Sequence, residues 1–272
     1  MQVHNTRNNA QKLLLVSVVL VGFLIVFATF LGKETVKVVT DIVYIPVTGM
    51  MVALSVILAL RFRQSGSHGK AWLFFLATSI LWFIAETLWT VYELVYNVNP
   101  FPSLADVFFI SGYPLIFCFL MYYLRPVRKA ASKNIVIGSV LVSVTILIPS
   151  IYMAYTFDPK VSLLENILAT SYPVADSIIL VPAIIGVVLL FKGEVNFTWS
   201  LICLGIVLQS VGDTSFQFAT YTNTYYTGHP SDVIFLWSYL LFSFGVYDHI
   251  QIFKKPEPHY NPKNGFEEFS SR

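Results

Sequence analysis

Residues 13–32 read LLLVSVVLVGFLIVFATFLG, twenty positions without a single charge. A helix rising 1.5 Å per residue covers about 30 Å in that length, the hydrocarbon thickness of a bilayer. No small-x-small site closes the run, so it reads as a retained anchor and not as a secretory leader. Seven further apolar runs follow, over residues 42–61, 71–94, 105–124, 134–155, 172–192, 198–220 and 231–252. Membrane-barrel strands would be shorter and would alternate in polarity. The composition agrees, with 56% hydrophobic and 12% charged residues, where soluble domains carry about 25% charged. The expected fold class is therefore all-α: a polytopic membrane protein with eight transmembrane helices. Residues 1–253 make one membrane-embedded domain, with possible halves 1–125 and 134–253, and 254–272 make a short polar tail.

Lysine and arginine set the expected orientation. Arg7 and Lys12, then Arg61, Arg63 and Lys70, then Arg125, Arg128, Lys129 and Lys133, then Lys192 and the tail residues Lys254, Lys255, Lys263 and Arg272 all fall on one side. Lys33, Lys37 and Lys160 fall on the other. Both termini are expected in the cytoplasm, and the localisation is the cytoplasmic membrane. Most acids lie in the outer half, so a formal net charge of +2 hides a polarised molecule. The basic residues are those that topology requires, which leaves no support for nucleic-acid binding. Cys118 and Cys203 both fall inside apolar runs, with no C-x-x-C and no neighbouring histidines, so neither a disulfide framework nor a zinc site is expected.

An internal repeat is legible. DVFFISGYPLIF from Asp106 resembles DVIFLWSYLLFS from Asp232, and each aspartate is followed seven residues later by a tyrosine, Tyr113 or Tyr239. Seven residues are two helical turns, about 10 Å on one face. ETLW at Glu86 and DTSF at Asp213 match in the preceding runs. The expected plan is a 4+4 repeat with both halves inserted the same way round, a class in which sites lie between the halves.

Asp41, Asp106, Asp176 and Asp232 each stand where an outer-side helix is expected to begin. Carboxylates suit the unpaired N–H groups and positive end of a helix, so all four read as caps. Ser103-x-x-Asp106 has capping-box spacing. Glu86 and Asp213 differ, because each lies inside a run and near a helix C-terminus, where the dipole opposes a negative charge. Each should face the bundle interior, and the expected pairs are Glu86–Tyr113 and Asp213–Tyr239. The candidate ligand-binding residues are thus Glu86, Tyr113, Asp213, Tyr239, Asp106 and Asp232. The alternative is that these contacts only join helices. Trp82, Trp89, Tyr92, Tyr96, Trp237, Phe216, Phe218, Tyr221, Tyr225 and Tyr226 read chiefly as an interfacial belt, with a site for a cation or amphiphilic small molecule as the alternative, and His229 reads as a solvated loop residue. No G-x-S-x-G, H-E-x-x-H, P-loop or intramembrane lysine is present. The sequence names no catalytic residue, metal or cofactor.

AETLWTVYEL…PFPSLADVFFISGYPL and SVGDTSFQF…TYYTGHPSDVIFLWSYLLFSFG together resemble the multi-pass membrane region that precedes GGDEF and EAL output domains in bacterial signalling proteins. The resemblance covers about residues 71 to 250. It rests on Glu86, Pro102, Ser103, Ala105, Asp106, Gly112, Tyr113 and Pro114, then on Gly212, Asp213, Asp232, Trp237 and Tyr239. It implies a sensory role and no particular ligand. After Phe253 only KKPEPHYNPKNGFEEFSSR follows, too short for an output domain. The expected function is a non-catalytic sensor or ligand-binding module of the membrane, signalling through a separate protein partner in the membrane or cytoplasm. The alternatives are an accessory subunit of a membrane complex and a carboxylate-dependent enzyme acting on lipid.

Overall fold

A computed structural model describes residues 2–155, 161–190 and 196–252. Among these residues eight α-helices form: α1 (Gln2–Phe30), α2 (Lys33–Phe62), α3 (Gly66–Thr90), α4 (Leu104–Leu124), α5 (Lys133–Ala154), α6 (Leu163–Leu190), α7 (Asn196–Tyr221) and α8 (Pro230–Ile252). A π-helical turn, Val91–Val95, prolongs α3, and no strand occurs among the described residues. All eight helices are long and apolar enough to cross a membrane. The chain is an all-helical, multi-pass membrane protein. The polar tail 254–272 lies outside the described residues.

Four helices, α1, α2, α3 and α6, start well before their apolar windows, and in two of them this takes an aspartate inside the helix. α2 begins at Lys33, not at residue 42, because Lys33, Glu34 and Lys37 continue the helix beyond its greasy part, with Lys37 and Glu34 paired at 3.2 Å. α6 begins at Leu163, not at residue 172, where the Ser162 hydroxyl accepts the Glu165 N–H at 3.2 Å. Asp41 and Asp176 consequently stand inside helices and cap nothing. Hydropathy marks where lipid begins, and a helix is free to start earlier.

The α4 start is a cap as expected. Ser103 Oγ accepts the Ala105 N–H at 3.1 Å, and Asp106 Oδ2 accepts the Ser103 N–H at 2.7 Å. Ser103→Ala should lower stability by about 1 kcal/mol, read as a lower unfolding midpoint in detergent. At α8 the Asp232 Oδ2 accepts the Gly228 N–H at 2.6 Å.

Six helices close a ring. Going round it, α2 packs on α3, α3 on α4, α4 on α6, α6 on α7, α7 on α8, and α8 back on α2. α1 lies outside against α8 and α2, and α5 lies outside against α6 and α7. Their outward faces carry Leu15, Val19 and Phe23 on α1 and Ile137, Leu141 and Ile148 on α5, all exposed, as lipid contact requires.

One end of the ring is filled. Trp72, Phe75, Phe119, Tyr123, Trp199 and Phe242 are buried there. Tyr123 and Trp199 stack at 4.7 Å, Trp72 meets Phe119 at 5.2 Å, and Phe75 meets Phe119 at 5.0 Å and Phe242 at 6.0 Å. Large rings in mutual contact leave no channel at this end. Towards the other end the packing stops beneath a cavity.

Candidate functional site

The cavity has a volume of about 450 Å³ and takes its walls from α2, α3, α4, α6, α7 and α8, with the end of α5 at Met153 and Ala154. Asp41, Glu86, Asp106, Asp213 and Asp232 line it, with Glu165 towards its edge. Among the described residues no lysine, arginine or histidine does. Of the expected ligand-binding residues, Glu86, Tyr113, Asp213, Asp106 and Asp232 reach the cavity, and Tyr239 lies directly beneath it, fully buried.

The acid–tyrosine pairs form with the opposite partners from those expected. Tyr239 Oη donates to Glu86 Oε1 at 2.7 Å, and Tyr113 Oη donates to Asp213 Oδ2 at 2.9 Å. Each tyrosine therefore serves an acid from the other half of the chain, linking α8 to α3 and α4 to α7. The expectation assumed that neighbours in a hairpin pair with each other. Trp82 prevents this, because its indole sits between the two tyrosines, 6.0 Å from Tyr113 and 6.1 Å from Tyr239. Sequence spacing gave the depth of these groups but not the direction in which they point.

Tyr113 also reaches Asp176 Oδ1 at 3.1 Å, so one phenol serves two carboxylates. Tyr172 Oη donates to Asp106 Oδ1 at 2.6 Å, and Tyr44 Oη donates to the Asp232 carbonyl at 3.1 Å. Asp176, Tyr172 and Tyr44 are thus part of the site. Tyr172 stands four residues before Asp176, one helical turn on the same face, a spacing that could have flagged it. The reading of Asp176 as a cap concealed it.

A double-mutant cycle separates the two pairing schemes. Glu86→Ala with Tyr239→Phe should show a coupling of about 0.6–1.7 kcal/mol, the range of polar contacts between membrane helices. Glu86→Ala with Tyr113→Phe should show essentially none. Reversed couplings would restore the hairpin pairs.

Several aromatics expected in a lipid belt line the cavity instead. Trp89, Phe216 and Tyr225 all reach it, while Trp82 is buried at its floor. Phe218 and Tyr96 are exposed, as a belt requires, and Tyr221, also exposed, borders the cavity. Phe216 lies 4.5 Å from Tyr225, edge to face, and 6.3 Å from Trp89.

A second, smaller cavity of about 320 Å³ adjoins the first and shares Trp89, Tyr225 and Thr227 with it. These three side chains are the partition. Glu93, in the π-helical turn, accepts from Trp89 Nε1 at 3.1 Å and from Thr227 Oγ1 at 2.6 Å. Such π turns recur at functional sites, because the extra residue redirects side chains. Burial, with Asp232 and Glu93 nearby, holds the Tyr225 phenol well above its ordinary pKa, so it stays protonated and donates to Asp232 Oδ1 at 3.2 Å. His229 is half-buried and not freely solvated. Burial lowers its pKa, which suits a neutral ring whose Nδ1 accepts the Ser231 N–H at 3.2 Å.

Lys37 lines the outer cavity. No three His, Cys, Asp or Glu side chains among the described residues are grouped closely enough to hold one metal ion. In comparisons with known proteins, no family model, no curated protein and no solved structure matches this chain.

Proposed function

We propose that the chain is a non-catalytic ligand-binding sensor of the cytoplasmic membrane, with its cavity open to the outside and its output passed to a separate protein. The observation that carries this is the acid-lined cavity of about 450 Å³ inside the helix ring, within the size range of small-molecule sites. Burial of this many carboxylates with no cationic side chain among the described lining residues is costly for packing alone. The resemblance to membrane regions of GGDEF and EAL signalling proteins points the same way.

The 4+4 repeat belongs to this proposal. Exchanging α2, α3 and α4 for α6, α7 and α8 leaves the order of neighbours round the ring unchanged. The same exchange converts the Glu86–Tyr239 bond into the Asp213–Tyr113 bond. A ligand lodged between the halves touches both, so its binding energy biases their relative position. The filled end of the ring, rigid with aromatic contacts, carries that displacement to the basic loops between α2 and α3 and between α4 and α5, where a partner would read it.

Thiol labelling tests the orientation and the access together. With Cys118 and Cys203 replaced, Thr220→Cys at the cavity edge should react with a membrane-impermeant maleimide in intact cells. Arg63→Cys, between α2 and α3, should react only after permeabilisation. Labelling of position 220 only after permeabilisation would turn the cavity inward and overturn the outward-facing sensor.

A further inference from the structure

The cavity walls specify a class of ligand, an inference that rests on the ligand-binding reading above. Asp41, Asp213 and Asp232 all lie close enough to Glu86 to repel it electrostatically. Among the described residues the nearest positive side chain, Lys37, stands one turn from Asp41 in the outer cavity and is paired with Glu34 at 3.2 Å. Carboxyl groups crowded into a low-dielectric site ionise more readily with a cation beside them, so the site favours one.

Two residues of the cavity wall each carry an unsatisfied acceptor. Asp41 is 1% exposed and its Oδ2 has no hydrogen-bond partner. Gln217 is 8% exposed and its Oε1 has none either. Both residues line the cavity, and both unpartnered atoms are acceptors. Buried acceptors left unsatisfied are expensive, and a ligand with N–H donors or a diffuse positive charge would relieve them once each side chain turned towards the cavity.

Size decides between kinds of cation. Among the described residues no three carboxylates are grouped closely enough to bond one metal ion, an arrangement better suited to a charge spread over a larger body. Trp89, Phe216, Tyr225 and Phe109 supply that body with aromatic surface, linked ring to ring at 6.3, 4.5 and 6.4 Å. Aromatic faces beside carboxylates favour alkylammonium groups over hydrated metal ions.

We infer that the cavity holds an organic cation, a protonated amine or quaternary ammonium on an apolar body, with the charged group among Asp41, Glu86 and Asp232 and the body against Trp89, Phe216 and Tyr225. The ammonium group could be free in the external medium or the headgroup of a lipid. The shared chemistry is the same, and the experiment separates the sources.

The test uses the purified full chain in detergent and three isosteric probes. Benzyltrimethylammonium should bind about tenfold or more tighter than neutral neopentylbenzene, and phenylmethanesulfonate should not bind. Asp41→Asn should weaken the cation about tenfold, whereas Ser150→Ala, at an α5–α7 contact outside the cavity, should leave it unchanged. Lysophosphatidylcholine competing with the cation, where lysophosphatidylglycerol does not, would assign the headgroup source. Competition by neither lipid would assign the free cation. Equal binding of the neutral isostere, or preference for the sulfonate, would overturn the cation inference while leaving a ligand site in place. Binding of no probe would overturn it too. An absence of any co-purified small molecule, with a stoichiometric protein partner instead, is the separate result that removes the ligand-binding reading itself.

Discussion

Gly112→Leu should leave no folded protein, and Gly112→Ala should cost about 3–5 kcal/mol, against a total stability of about 5–15 kcal/mol. Gly112 is the point where α4 receives the Trp82 indole of α3, and a Cβ there would overlap the indole nitrogen and its neighbouring ring atoms. Trp82 has no room to yield. It is 2% exposed, and its Nε1 donates to the Phe109 carbonyl at 3.1 Å. Its ring is in contact with Tyr113, Tyr239 and Phe242. Overpacking costs about 1–3 kcal/mol, and a buried N–H left without its acceptor costs about 1–3 kcal/mol more. Gly138, on the lipid-facing helix α5, has open space where its Cβ would be. Gly138→Ala should therefore stabilise by up to about 1 kcal/mol, the helix-propensity gain alone. Unfolding midpoints of the two alanine variants, measured side by side, check both values.

Glu86→Gln combined with Asp213→Asn should retain the fold and lose at least about 100-fold in affinity for a cationic ligand, the lower part of the 2–5 kcal/mol that follows when one partner of a buried charge pair is removed. The fold survives because the amide oxygens still accept from Tyr239 and Tyr113 in the positions where the carboxylates do now, at 2.7 and 2.9 Å. What disappears is negative charge at the floor of the cavity. Equilibrium binding of benzyltrimethylammonium to wild type and double variant reads the loss, and an unchanged unfolding midpoint without ligand shows that the fold is intact. Equal affinity in the two proteins would make the paired acids structural, whatever the cavity holds.

Much of the fold was legible because hydropathy over twenty residues reports directly on lipid. The eight helices follow from it, and so does the depth of Glu86 and Asp213. Helix starts at Lys33 and Leu163 were not legible, since polar helical turns above the lipid look like loops to the same measure. That error turned Asp41 and Asp176 into caps, although Asp41 lines the cavity and Asp176 stands behind its wall, accepting from Tyr113. The exchanged tyrosine partners were hidden for another reason. Pairing depends on the rotation of each helix about its axis, and Trp82, a bulky residue between the two phenols, fixes that rotation through packing that no local spacing records. The cavity aromatics failed similarly, because Trp89 and Phe216 have the same composition signal whether they face lipid or ligand.

The central claim is that the helix ring holds a small molecule between its halves. Native mass spectrometry of the protein released gently from its own membrane tests this most directly. A bound organic molecule near one per chain, absent from the Glu86→Gln, Asp213→Asn variant, is the predicted result. A chain that carries no small molecule and leaves the membrane with a stoichiometric protein partner would contradict it, and would make the polar layer a device for assembly.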